Sequence, residues 1–168
     1  MQPVAETGQR GALVRLYAAV GLCPVALSPR LKPTQPVRFP KQLGYADILE
    51  LERQCAGAYG IGCALPAGWL AVEIEQLEAF LRWLQGHGVQ LPATTTVERP
   101  TGWTLLYRLE GGACSGVREV PGGRVLGAGA VVALPDTPGL RFLAGLEALA
   151  TVSVRLCHAA GWNNAERP

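Results

Sequence analysis

The sequence predicts an α+β fold, a single domain whose mainly antiparallel or mixed sheet is flanked by helices. Three observations carry this expectation. Twenty-one glycines and thirteen prolines in 168 residues favour tight turns and short elements over a long helical bundle. Apolar residues make up 49% of the chain and charged residues 17%, which suits a buried core and not a disordered chain. The strand-like segments come in glycine-bounded pairs, the mark of hairpins, not in strict alternation with helices.

The elements follow in order. Residues 11–20 (GALVRLYAAV) read as a helix with Leu13, Leu16, Tyr17 and Val20 on one face, ended by Gly21. Residues 22–27 (LCPVAL) read as a strand, and Pro24 marks it as an edge or a strand start. Residues 28–45 are proline-rich and basic, an ordered loop that draws Arg30, Lys32, Arg38 and Lys41 together. Asp47 is placed to cap a helix reaching about Cys55, with Ile48, Leu49 and Leu51 inward. Residues 60–65 and 69–75, joined by Pro66-Ala67-Gly68, predict a hairpin. Residues 76–85 predict a helix with Leu77, Phe80, Leu81 and Leu84 in register, stopped by Gly86 and Gly88. Residues 94–99 and 103–110 are strands about the turn Pro100-Thr101-Gly102. Short strands follow at 116–120, 124–126 and 130–134, then a final helix over 140–160. The domain is expected over 11–160, with flexible tails at 1–10 and 161–168.

A net charge of +2 excludes an acidic tail and is too mild to announce nucleic acid by bulk charge, so any basic surface must be local. Cys23, Cys55, Cys63, Cys114 and Cys157 are odd in number and contain no C-x-x-C pair. That argues against a zinc knuckle and a disulfide framework and for buried thiols. The first ten residues carry no apolar leader, and charges interrupt the most apolar run, residues 140–160. The expectation is a soluble cytoplasmic protein without a membrane partner.

Few residues offer chemistry. Glu73 and Glu75 stand two apart on a strand and therefore share a face, opposite Leu70, Val72 and Ile74. Two carboxylates held side by side suit a divalent cation, and Mg²⁺ favours one or two carboxylates plus substrate phosphates. The plainer alternative is the wet face of a half-exposed strand. Arg108 ends a strand that follows a Thr-Gly turn, fit for a phosphate or simply for solvent. Arg118 and Arg124 lie in a glycine-rich stretch whose backbone N–H groups suit phosphates, although no P-loop pattern is present. His87 and His158 have no Cys, Asp or Glu at ligand spacing, and Ser115 lacks a nucleophile-elbow context.

Taken in order, these segments resemble the small primase-polymerase (prim-pol) N-terminal domain of bacterial, phage and plasmid replication proteins, in the archaeo-eukaryotic primase superfamily. The likeness runs from about Gly11 to Pro135. Residues 22–27 resemble the family's opening strand, and 30–36 its "G-K-x-P" loop. Residues 60–75 (GIGCALPAGWLAVEIE) resemble the "N-I-G-I … L-x-V-L-D-x-D" segment. Residues 101–109 take the place of "G-G-R-H-x-Y-F-R", and 117–134 that of the segment ending in "G-Y-V-V-A-P". The resemblance implies an RRM-like prim-pol fold. It puts the first two metal carboxylates on Glu73 and Glu75, the nucleotide-binding histidine on Thr104 and the third carboxylate on Arg124. Arginine is always protonated, so that last substitution reverses the charge where a cation would sit. The guanidinium is expected to pair with Glu73 or Glu75 and replace the metal by an internal ion pair.

The leading expectation is thus a catalytically degenerate domain, leaning away from an enzyme and needing no cofactor. It would be a nucleic-acid- or nucleotide-binding accessory of a plasmid- or phage-type replication system. Arg30, Lys32, Arg38, Lys41, Thr104, Arg108, Arg118 and Arg124 would supply the contacts, and Trp103 or Tyr107 a stacking ring. One alternative is an active DNA primase/polymerase holding Mg²⁺ or Mn²⁺ on Glu73 and Glu75. Another is a protein-interaction module that keeps only the fold. The partners implied are single-stranded DNA or primer-template, and a replication helicase or other replication protein in trans.

Overall fold

The structure, a computed structural model, describes residues 4–37 and 43–162. In chain order it runs α1 (Val4–Ala19), β1 (Cys23–Leu27), α2 (Tyr45–Ala56), β2 (Gly60–Ala64), β3 (Trp69–Ile74), α3 (Leu77–Gly86), β4 (Thr95–Arg99) and β5 (Gly102–Glu110). It continues with β6 (Val117–Val120), β7 (Gly123–Leu126), β8 (Val131–Leu134), β9 (Arg141–Ala144), a 3-10 turn (Leu146–Ala148), β10 (Ala150–Ser153) and α4 (Arg155–Ala159). The fold is α+β. Strand pairing is antiparallel except for β10, which lies parallel to β5. Among the described residues no helix is long and apolar enough to cross a membrane.

The chain divides into two compact units. The first takes the residues up to Pro66 and adds Val131–Leu140. Its sheet has the order β1-β2-β8. Strand β1 is at the edge, where the missing N–H of Pro24 does least harm to the ladder. Gly62 in β2 is a packing requirement: a Cβ there would stand 2.7 Å from the Val132 carbonyl of β8. Thr137 ties the returning segment to β2, its hydroxyl donating to the Ile61 carbonyl (2.8 Å) and accepting the Ile61 N–H (3.0 Å). Helix α1 buries Val14 and Tyr17, and the Tyr17 hydroxyl donates to the Pro135 carbonyl.

Helix α1 begins at Val4, well before the predicted Gly11, so residues 4–10 are helix and not a tail. Arg10, at 7% exposure, is the reason this matters. Its guanidinium reaches the carbonyls of Cys55 (3.0 Å) and Ala58 (2.5 Å) and the carboxylate of Asp136 (3.1 Å). An arginine fits such a place by packing its aliphatic stem and satisfying its fork with fixed acceptors. In α2 the cap is Gly44. Asp47 sits inside the first turn, and its carboxylate accepts the Gly44 N–H (2.9 Å). Of the predicted inward face, Leu49 is exposed, and Cys55 is the buried residue.

The second unit takes Ala67–Ala130 and the chain from Arg141 onward. Its sheet has the order β6-β7-β3-β5-β4-β9, with β10 beside the second half of β5. One face packs Leu70, Val72, Ile74, Tyr107 and Val125 against Phe80 and Leu84 of α3 and Leu156 of α4. Leu77 and Leu81, from the same predicted stripe, are about half exposed. Trp162, assigned to a tail, is buried and donates its indole N–H to the Ser115 carbonyl (3.0 Å). Cys114 and Cys157 form a disulfide, contrary to the expectation of five free thiols. Partners 43 residues apart leave no spacing motif to read. Closing a loop of that length constrains the unfolded chain by about 4 kcal/mol.

Two further expectations are corrected. The hairpin over 60–75 does not form: β2 pairs with β1 and β8, and β3 pairs with β5 and β7. Both strands are buried on both faces and flanked on both edges, so each is a central strand of its own sheet. The final helix over 140–160 is instead two strands, a 3-10 turn and a short helix. Gly145 interrupts the helical run, and the β-branched Thr151, Val152 and Val154 favour a strand. The Ala150 N–H anchors that strand on the Thr94 hydroxyl (2.9 Å).

Arg10→Met keeps the stem and removes the fork, leaving buried carbonyls unpaired. Urea denaturation should show a loss of about 2–4 kcal/mol. A loss below about 1 kcal/mol would show that water replaces the guanidinium. The buried thiols set an alkaline limit. Burial pushes Cys55 up to about 11, the Arg10 charge opposing, and burial also raises Cys63. Unfolded thiols ionise near 8.5, so above that pH the unfolded chain binds fewer protons than the native one. Stability should therefore hold near neutrality and fall as pH rises from about 9 through 11, by ~1.4 kcal/mol per pH unit for each such thiol. A thermal-midpoint series should show a shallower alkaline slope for Cys55→Ala.

Candidate functional site

The predicted acidic strand is β3, and its register builds the site. Glu73 stands directly opposite Thr104 of β5 on one side and Arg124 of β7 on the other. Arg124 in turn faces Glu119 of β6, and Thr104 faces Val97 of β4. Directly opposed residues share a face, so Glu119, Arg124, Glu73, Thr104 and Val97 form one row across the sheet. Glu75 and Arg99, each two residues on from a member of this row, extend it on the same face.

Glu73 is only 6% exposed. The plainer alternative of a half-exposed strand fails for Glu73, since every residue of β3 is buried, and holds for the exposed Glu75. A carboxylate in that position needs charged partners, and it has two. Arg124 Nη2 lies 2.5 Å from Glu73 Oε2, and Arg99 Nη1 lies 3.1 Å from the same oxygen. The Arg99 fork also comes within 4.0 Å of Glu75, whose side chain is 59% exposed. The Glu73 hydrogen bond holds the Arg124 guanidinium above its ordinary range. Burial opposes this, and the charges of Glu73, Glu119 and Glu75 add to it.

Glycines make the geometry possible. Gly102 has φ +152, and a Cβ there would stand 1.9 Å from the Ile74 carbonyl. A bare backbone at this position, paired with Arg99, lets the start of β5 lie close against the end of β3. Gly122, at φ +78, seats the β6–β7 turn on the end of β3, its carbonyl accepting the N–H groups of Glu75 (2.9 Å) and Gln76 (3.0 Å). That turn sets the register that brings Arg124 to Glu73. A cavity of about 460 Å³ opens beside them, lined by Glu73, Glu75, Gln76, Glu119 and Arg124 with the turn backbone.

The remaining predicted residues are not gathered here. Thr104 is in the row but buried, hydrogen-bonding range of a ligand being closed to it by that burial. Arg108 stacks over the Trp69 ring at 4.7 Å. Arg118 stacks over Trp162 at 5.5 Å and sits one strand position from Glu119, on the opposite face of the sheet. Tyr107 is buried with its hydroxyl on the Pro92 carbonyl (2.7 Å), and Trp103 packs against the helix-side core. Arg30 and Lys32 belong to the first unit. Arg38 and Lys41 lie outside the described residues. Arg99 was missed from sequence. Its signal was its place at the end of a strand before a Pro-Thr-Gly turn, legible only once Gly102 is known to face it.

The donor set does not fit a divalent cation. At a common separation of ~4 Å and an effective dielectric near 20, a pair of unit charges is worth about 4 kcal/mol. Two guanidiniums then cancel the attraction that Glu73 and Glu75 offer a metal ion. Among the described residues no three His, Cys, Asp or Glu side chains converge as a ligand set. No protein-family model matches the chain, and no curated protein matches it.

Glu73→Gln would leave two guanidiniums facing each other without their shared anion. Thermal or urea denaturation should show a loss of about 2–4 kcal/mol. Glu75→Gln, at an exposed and distant pair, should stay within about 0.5 kcal/mol. Equal effects of the two would mean that the buried cluster does not stabilise the sheet.

Proposed function

We propose that this chain is a prim-pol-like module in which an internal ion-pair cluster stands where the resemblance puts the catalytic metal. It acts without nucleotidyl transfer, as a nucleic-acid- or nucleotide-binding accessory of a plasmid- or phage-type replication system. One observation carries the reading: Arg99 and Arg124 both donate to Glu73 Oε2. Two fixed positive charges on that carboxylate oppose Mg²⁺ or Mn²⁺, and phosphoryl transfer depends on such an ion to neutralise the triphosphate. The alternative of an active primase or polymerase using Glu73 and Glu75 requires both guanidiniums to leave.

Binding would rest on Arg30 and Lys32, exposed at the early loop, and on Arg38 and Lys41 in the same stretch of sequence. Single-stranded DNA or primer-template is the proposed ligand, and a replication helicase or similar protein the proposed partner in trans. A cytoplasmic setting belongs to the same proposal. The Cys114–Cys157 disulfide argues against it, because cytosolic thiols are kept reduced. A second reading, an interaction module that keeps only the fold, draws support from Arg108 and Arg118, which are already stacked on the protein's own tryptophans.

Primer extension with Mn²⁺, together with fluorescence anisotropy on single-stranded DNA, tests the reading. The expected result is no metal-dependent incorporation, with DNA affinity that falls as salt rises and weakens severalfold in Arg38→Ala plus Lys41→Ala. Incorporation abolished by Glu73→Ala would overturn the proposal. Absence of DNA binding even at low salt would move the assignment to the interaction module.

A further inference from the structure

We propose that the second unit carries a binding groove for a single-chain aliphatic carboxylate, a long-chain fatty acid. The groove shares no residue with the Glu73 cluster and does not rest on the function proposed above. It lies between α3 and the sheet and is an open trough of about 1170 Å³, somewhat above the usual range of small-molecule sites. Its floor includes Ile74, Leu105 and Tyr107, and its helix wall Phe80 and Leu84. Leu77 and Leu81 stand on its rim, 45% and 51% exposed, an apolar surface that water covers at a cost.

The buried hydroxyls inside already donate within the protein, and the lining amides of Gln85 and Gln90 are on exposed residues. The Tyr107 hydroxyl donates to the Pro92 carbonyl (2.7 Å), the Thr94 hydroxyl to Leu106 (2.5 Å) and the Thr96 hydroxyl to Thr94 (3.0 Å). The body of an occupant must therefore be apolar. The head is specified by charge. Arg155 is the one charged residue in the lining among the described residues. Its backbone N–H is held by the Ser153 hydroxyl (3.2 Å), and its guanidinium makes no ion pair among the described residues. A planar fork at the edge of an apolar trough matches a carboxylate on an alkyl chain. An acidic amphipathic helix would need cations along its length, and the lining supplies a single one.

The test is calorimetric titration of the full chain with dodecanoate, dodecanol and dodecyltrimethylammonium, each below its micelle concentration. Dodecanoate is expected to bind one-to-one, at least tenfold tighter than the alcohol, with no saturable binding of the cation. Decanoate should bind about fifteenfold more weakly than dodecanoate, since it lacks two methylenes and each is worth roughly fourfold. Arg155→Glu should weaken dodecanoate at least tenfold while leaving dodecanol unchanged. Leu81→Asp, at a half-exposed position, should weaken both, with far-UV circular dichroism confirming that each variant is folded. Equal binding of the three probes, or multi-site uptake indifferent to Arg155→Glu, would overturn the proposal. So would a concentration-dependent dimer lost in Leu81→Asp, which would assign the groove to a second copy of the chain.

Discussion

A single carboxylate oxygen shared by two guanidiniums organises the second unit's acidic strand. Glu73 cannot be buried as a charge alone, because the loss of hydration costs several kcal/mol. Arg124 reaches it along the row from the neighbouring β7, and Arg99 reaches it from β4, on the far side of β5. Each arginine requires its own backbone arrangement. The β6–β7 turn must close on Gly122, and β5 must begin at Gly102. The ion-pair cluster and the turn glycines are therefore linked, since a side chain at Gly122 would push the β6–β7 turn off Gln76 and Phe80, and one at Gly102 would part β5 from the end of β3.

This arrangement also sorts chemistry from architecture. Arg124 is 41% exposed and borders the small polar cavity, whereas Arg99 is half as exposed. A protein that needed a mobile, hydrated site for a divalent ion would not be expected to hold its central carboxylate in two charge-assisted hydrogen bonds. Such bonds are roughly twice as strong as neutral ones and fix the side chain they hold. Charge at this position serves the sheet first. The contrast with Glu75, exposed and 4.0 Å from its nearest cation, shows how far two residues on one strand face can differ in environment.

Much of this was legible before the fold. The α+β class followed from glycine-bounded strand pairs, and the edge position of β1 followed from Pro24. That Arg124 pairs with Glu73 or Glu75 was expected from the resemblance, and the choice of Glu73 was not legible. What was hidden depended on distance in sequence. Strand pairing over 60–75 read as a hairpin because a short turn joins two apolar runs, and only long-range partners show that they belong to different sheets. Residues 140–160 kept helical spacing of leucines over a stretch where β-branched residues and Gly145 decide otherwise. Arg10 was hidden by the polarity of its neighbours, since a buried arginine is indistinguishable from a solvated one until its carbonyl acceptors are in place. The disulfide was hidden for the same reason.

Strand β8 comes back to the first unit after the chain has already built most of the second, and the second is then completed from Arg141 onward. Neither unit is contiguous. During vectorial synthesis on a ribosome, β2 must wait some seventy residues for its second neighbour, holding an unpaired ladder edge meanwhile. Closure of such non-local contacts is entropically slow. No single proteolytic cut liberates either unit whole, so excision by limited digestion is closed to this architecture, and any gene fragment ending at Pro66 encodes a sheet with one strand missing.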